Sequence, residues 1–215
     1  MNLKDRALKI LEILKKRYPD PKTKLNWKTP WELLVATILA AQCTDDRVNK
    51  VTPMFFKKWP TIKALSEAKN EEVEKVIYST GCYKNKARFL IESAKKIINK
   101  FNGEVPNTME DLLKLPGVAR KTANIVLSNC FSKNEGIAVD THVKRLSFRL
   151  GLTSSKNPHV IEKDLMSLFP RSEWHLVNHL LVWFGRDVCT ARSPRCNNCE
   201  LEHLCPKKGV LSSKK

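Results

Sequence analysis

The sequence predicts an all-α fold from three observations: helix starts and stops recur along the 215-residue chain, strand-type alternation and hairpin-type pairs of β-branched runs are nearly absent, and 42% hydrophobic content is enough for a core. At the start of the chain, Leu3, Ala7, Ile10, Leu11 and Leu14 share one face of an amphipathic helix whose other faces carry charge, a pattern that lacks a secretory h-region. Thr29, Pro30 and Glu32 form a capping-box start for a helix from Trp31 to about Gln42. Its apolar run, Leu33 to Ala41 with Thr37 inside, is far too short to span a bilayer. Pro53 and Pro60 are expected to interrupt the segment after Thr44, Gly81 ends a helix, and a long helical run from about Lys84 stops at Asn102-Gly103. Two short helices follow, Met109 to Leu113 and RKTANIVLSNCF from Arg120 to Phe131. They flank Leu115-Pro116-Gly117-Val118-Ala119, where proline stops one helix and glycine permits a tight backbone, so a helix-hairpin-helix is predicted. An apolar stretch then leads to Asp140 and a helix ended by Gly151, and Asn157 with Pro158 opens another. No low-complexity tract or solenoid period appears.

The hairpin suits chemistry on nucleic acid. Amides at the start of its second helix carry partial positive charge and can receive a phosphate without reading any base. Lys121 lies in the first turn of that helix, where the dipole disfavours an ammonium and favours the neutral, nucleophilic amine. The effect matters because an ordinary lysine, with a pKa of about 10.4, is neutral in only about one molecule in 2,500 at pH 7. A lysine so placed is a candidate Schiff-base former. Asp140 is a favoured N-cap, and its carboxylate is also suited to deprotonating an amine or steadying a cationic sugar. Sequence alone leaves both roles open.

Four of the seven cysteines, Cys189, Cys196, Cys199 and Cys205, are separated by six, two and five residues, a clustering that implies a metal. Disulfides explain it less well, because no signal peptide is present and Cys43, Cys82 and Cys130 lie scattered elsewhere. Four thiolates suit zinc or iron and sulfur alike. A single Cys-x2-Cys unit between longer spacers favours an iron-sulfur cluster over the paired knuckles usual for zinc. The balance of 39 Lys and Arg against 22 Asp and Glu leaves a formal net charge of +17, which points to a polyanionic partner.

The hairpin with Lys121, the segment Val139-Asp140-Thr141-His142 and the cysteine spacing together resemble the endonuclease III family of helix-hairpin-helix DNA glycosylases, as do LLVATILAAQCTDDRVNK and NGEVP. The likeness covers nearly the whole chain. It implies a bifunctional enzyme that removes oxidised pyrimidines from duplex DNA and cleaves 3′ to the abasic site by β-elimination. Lys121 is then the nucleophile, Asp140 the catalytic carboxylate, and the four cysteines hold a 4Fe-4S cluster. It further implies two helical lobes with a DNA-binding cleft between them: a six-helix barrel of residues 22 to 134, and a cluster lobe of residues 1 to 21 and 135 to 215, with Lys121 and Asp140 on opposite sides. By the same resemblance Gln42 and Cys82 fill the space left by an extruded nucleotide, Cys82 replacing a bulkier aliphatic wedge. Leu115, Gly117, Ala119 and Arg120 of the hairpin are expected to meet DNA, as are His142, Arg192 and Arg195, and Asp45 lines the cleft. Ala119 stands where many relatives have glycine, so a positive φ there would be strained. The expected partner is double-stranded DNA with damaged bases or abasic sites, met by a monomer in the cytoplasm at the nucleoid, without membrane. Two rival readings remain at this point: a monofunctional glycosylase for mismatched adenine, thymine or uracil, and a non-enzymatic DNA-binding module with structural zinc. Lys121 argues against the first.

Overall fold

The computed structural model describes residues 1–210; of the lysine-rich C-terminal end, residues 211–215 lie outside it. Among the described residues all regular structure is helical: α1 (Leu3–Arg17), α2 (Pro30–Leu39), α3 (Asp45–Lys58), α4 (Ile62–Ser66), α5 (Asn70–Ile77), α6 (Tyr83–Lys100), α7 (Met109–Leu113), α8 (Arg120–Phe131), α9 (Thr141–Arg149), α10 (Pro158–Leu168) and α11 (Trp174–Asp187), with short 3-10 turns between some of them. The punctuation works by side-chain capping. Thr29, Thr44, Thr61, Thr108, Asp140 and Asn157 each accept a hydrogen bond from a backbone N–H in the first turn of α2, α3, α4, α7, α9 and α10.

Two expectations need correction. Pro53 lies inside α3 and does not interrupt it. An interior proline costs about 3 kcal/mol. Val48, Val51 and Phe55, all on the buried face of α3, each return roughly 1.5–3 kcal/mol on burial, so packing outweighs the lost hydrogen bond. Pro60 does follow the end of α3. Also, α2 stops at Leu39, short of Gln42, because the chain turns through Ala40 and Ala41 into a left-handed Gln42 at φ 55°.

The chain divides into two compact units, Lys24–Glu135 and Met1–Thr23 with the segment from Gly136 onward. In the first, α2 is apolar on every side; Leu33, Leu34, Val35, Ala36, Ile38 and Leu39 are all buried, which makes it the central helix. It packs against α3, α6 and α8, while α4 and α5 lean on α6 and α7 on α8. In the second unit Ala7, Ile10, Leu11 and Leu14 of α1 pack with Val143 and Leu146 of α9, Ile161 and Leu165 of α10, and Leu180 and Phe184 of α11.

Unit two carries a buried histidine. His179 on α11 is 8% exposed. Loss of water, with His175 adding to it, pushes its pKa from 6.5 down to about 4. The unfolded chain therefore takes up this proton first, so the neutral-histidine stability is complete above about pH 6.5 and is lost as pH falls toward 4. The loss is about 3 kcal/mol from this group. Between pH 7 and 4.5 the Tm of the parent is expected to fall further than that of His179→Gln, and parallel Tm curves would contradict this.

Candidate nucleic-acid interface and cysteine centre

The hairpin forms for local reasons and is then held from outside. Leu112, Leu115 and Val118 point into the core of the first unit, which anchors both sides of the turn. Leu115 is 2% exposed, so its side chain is a core anchor and is not available to a partner. Gly117 adopts φ +76°, the left-handed region where a side chain is disfavoured. A Cβ there would also meet Phe89 Cβ at 2.9 Å. Ser93 Oγ donates to Pro116 O at 2.9 Å, and Lys96 Nζ donates to Lys114 O at 2.7 Å. Phe89, Ser93 and Lys96 therefore form one face of α6 that cradles the turn. Sequence reading missed them, although their i, i+4, i+7 spacing marks a single helical face. Gly117→Val is expected to lower stability by roughly 2–5 kcal/mol, combining left-handed strain with overpacking on Phe89. Thermal unfolding checks it, and an unchanged Tm would be contrary.

Beyond the turn, α8 starts differently from its neighbours. Its N-cap is Ala119, which supplies no side-chain cap, and no acidic residue stands in its first turn. Ala119 sits at φ −90°, extended backbone that alanine adopts freely, so the expected strain does not arise. Arg120 and Lys121 occupy the first two helical positions, where the macrodipole is positive. Positive charge is thus gathered at an end that helices usually neutralise. Lys121 is exposed, facing the dipole without being buried, and Arg120 Nη2 donates to Glu135 O at 3.2 Å.

In the same unit, Gln42 and Cys82 lie on adjacent loops. Both are exposed and left-handed, at φ 55° and 46°, each at a cost of roughly 1–2 kcal/mol for a non-glycine residue. Cys82 Sγ lies 3.8 Å from Gln42 Oε1. Asp45 is the first residue of α3, directly after the Thr44 cap.

In the second unit, Asp140 caps α9, its Oδ1 accepting from Val143 N at 2.8 Å. The capping role is therefore real, whatever further chemistry the half-buried carboxylate performs. His142 Nδ1 lies 3.2 Å from Arg145 Nη2. Arg192 is exposed. Arg195 turns back to α11, donating to Asp187 O at 2.7 Å, with the Asp187 carboxylate 3.8 Å away.

Cys189, Cys196, Cys199 and Cys205 are all free thiols and line one recess with Leu146, Leu150, Phe184, Val188 and Val210. The loop that carries them is tied down by its own turns, Cys199 N to Cys196 O at 3.1 Å and Cys205 N to Glu202 O at 3.2 Å. Arg149, 7% exposed, clamps it further through Thr190 O at 2.7 Å and Ala191 O at 2.8 Å, and donates to Cys189 Sγ at 3.3 Å. Burial pushes the Cys199 and Cys205 thiols up, and the other thiols of the set push the same way. Four thiolates gathered here need a cationic centre to offset that repulsion. Among the described residues no group of three or more His, Cys, Asp or Glu side chains is arranged to hold a single metal ion. An all-thiol set around an apolar recess has the donor chemistry that suits a 4Fe-4S cluster.

Among the described residues no helix is long and apolar enough to cross a membrane. Residues 35–171 match the HhH-GPD superfamily base excision DNA repair protein family. The chain is 53% identical over 203 residues to endonuclease III of Synechocystis sp., covering 94% of this chain and 93% of that one. It is also similar to two solved structures at 44% identity, covering 96% of this chain and 97% of theirs: a non-covalent endonuclease III–DNA complex with TM-score 0.91, and a trapped endonuclease III–DNA covalent intermediate with TM-score 0.92. With its residues matching the superfamily over most of their length and its relatives aligned nearly end to end, the chain belongs to the endonuclease III family of the HhH-GPD base excision DNA repair proteins.

Proposed function

We propose that the protein is a bifunctional DNA glycosylase and abasic-site lyase that acts on oxidised pyrimidines in duplex DNA. The observation that carries this reading is the exposed Lys121 at the second position of α8, a helix start without side-chain cap or acid, behind the left-handed Gly117 turn. The covalent intermediate trapped on the similar endonuclease III supports it, because covalent capture calls for a nucleophile of this kind. A monofunctional glycosylase needs only activated water and leaves such a lysine without a role.

The hairpin holds a phosphate of the damaged strand at its amides, with Gly117 allowing close backbone approach and Arg120 adding charge. The target nucleotide leaves the stack, and Gln42 and Cys82 fill the gap. Neutral Lys121 Nζ attacks the sugar C1′ as the C1′–N bond breaks and the base departs with the bonding pair. The ring opens to an imine between Nζ and C1′. Loss of a C2′ proton then expels the 3′ phosphate, which breaks the strand, and water releases the lysine. Asp140 is the carboxylate assigned to the early steps, taking a proton and steadying positive charge on the sugar. Cys189, Cys196, Cys199 and Cys205 would hold the 4Fe-4S cluster, which supplies a fixed scaffold for its loop and leaves bond breaking to the amine. Arg192 on that loop then reaches phosphate, whereas Arg195, occupied with Asp187, supports the loop from behind. The enzyme is expected to work as a monomer on DNA at the nucleoid.

The test is product chemistry on a duplex with one oxidised pyrimidine. Cleavage leaving an unsaturated sugar on the 3′ end is expected; an intact abasic strand would assign base removal without the lyase step, and an untouched strand would overturn the proposed activity.

A further inference from the structure

Among the described residues Lys86 is the one buried lysine, at 4% exposure, and no carboxylate pairs with it. Its ammonium instead donates to two backbone carbonyls, Leu39 O at 2.7 Å and Thr80 O at 2.8 Å. Leu39 is the last residue of α2, three before Gln42, and Thr80 is the last of the 3-10 turn that leads through Gly81 to Cys82. Carbonyls at helix ends lack intrahelical partners and carry partial negative charge, which explains how this site tolerates a cation without an acid. Burial still pulls the Lys86 pKa below its ordinary value, with Cys43 and Cys82 acting the other way. The lysine also closes the first turn of α6, its own N–H donating to Cys82 O at 3.1 Å. One side chain thus grips the roots of two loops whose tips, Gln42 and Cys82, are both exposed, both left-handed and 3.8 Å apart.

We propose that Lys86 is a positioning residue that holds the Gln42 and Cys82 loops at a fixed separation, so that the two tips enter the DNA stack together. The inference rests on the glycosylase reading above and adds a part to it. Without the ammonium, the two bonds that tie the Leu39 and Thr80 carbonyls to one side chain are lost, and a tip displaced by about 1 Å is enough to cost about 10²-fold. The lyase amine on α8 is held by other contacts, those of Phe89, Ser93 and Lys96 with the hairpin.

The test compares two substrates: a duplex with one oxidised pyrimidine, which requires extrusion, and a single-stranded oligonucleotide with an abasic site, which does not. In Lys86→Met the ratio of duplex excision to single-strand cleavage is expected to fall roughly 10- to 100-fold. Lys86→Gln, whose shorter amide reaches one carbonyl at most, is expected to lower the same ratio and serves if the Met variant does not fold. Adding either change to Gln42→Ala/Cys82→Ala should cause little further loss, since the tips it positions are already gone. A ratio unchanged from the parent, or full additivity with the truncated tips, would overturn the inference. A parent that cleaves neither substrate would instead overturn the enzyme reading.

Discussion

Lys121→Ala is expected to abolish strand cleavage and to lower base excision by at least about 10³-fold, because the nucleophile supplies both the covalent step and the imine that labilises the C2′ proton. DNA binding should change far less. Lys121 is exposed and α8 buries Thr122, Ala123, Val126 and Leu127 on its opposite side, so truncation at Lys121 leaves the packing of the helix intact. Alanine is also the best helix former, which removes a folding explanation for any loss. The measurement is single-turnover excision and cleavage on the oxidised-pyrimidine duplex, alongside affinity for the same duplex. Retained excision with lost cleavage would assign base removal to activated water and reduce Lys121 to a lyase residue.

Cys199→Ser is expected to have the largest effect on the second unit. Cys199 is half-buried and packs against the core formed by α1, α9, α10 and α11. Serine is a poor ligand for iron, and loss of a direct ligand should exceed the roughly 10–100-fold cost in metal affinity of losing a supporting group. Binding energy at such a centre is folding energy for the loop. The brown colour and iron content expected of the parent should therefore fall together in the variant, with faster proteolysis between Cys189 and Cys205. Weaker DNA binding should follow, because Arg192 loses its fixed loop. The Arg149 contacts to Thr190 and Ala191 remain and limit the disorder to the distal part of the loop. A colourless parent that contains zinc and no iron would contradict this account.

The parts of the molecule legible in the sequence are those governed by local chemistry. Met109–Leu113 and Arg120–Phe131 form as read, because Thr108, Pro116 and Gly117 settle their ends within a few residues. The all-helical class follows from the same caps repeated along the chain. Asp140 was readable as a cap for the same reason. What the sequence could not reveal involves long separations. Lys86 bonds Leu39 across 47 positions, and Ser93 bonds Pro116 across 23, so neither contact leaves a signal near its own residue. Pro53 misled because its local penalty is visible in the sequence, whereas the burial of Val48, Val51 and Phe55 that outweighs it depends on the folded core. Arg195 also bonds Asp187 O, eight residues back at the end of α11, a contact closed only by the turn of the loop.

In the proposed reaction the ε-amine of Lys121 forms the covalent bond to the sugar. The most direct measurement is borohydride reduction of the protein on a duplex with one oxidised pyrimidine, followed by digestion and peptide mass analysis of the adduct. A single modified peptide containing Lys121 is expected, absent from Lys121→Ala. A trapped adduct on another lysine, or none from the parent, would contradict it.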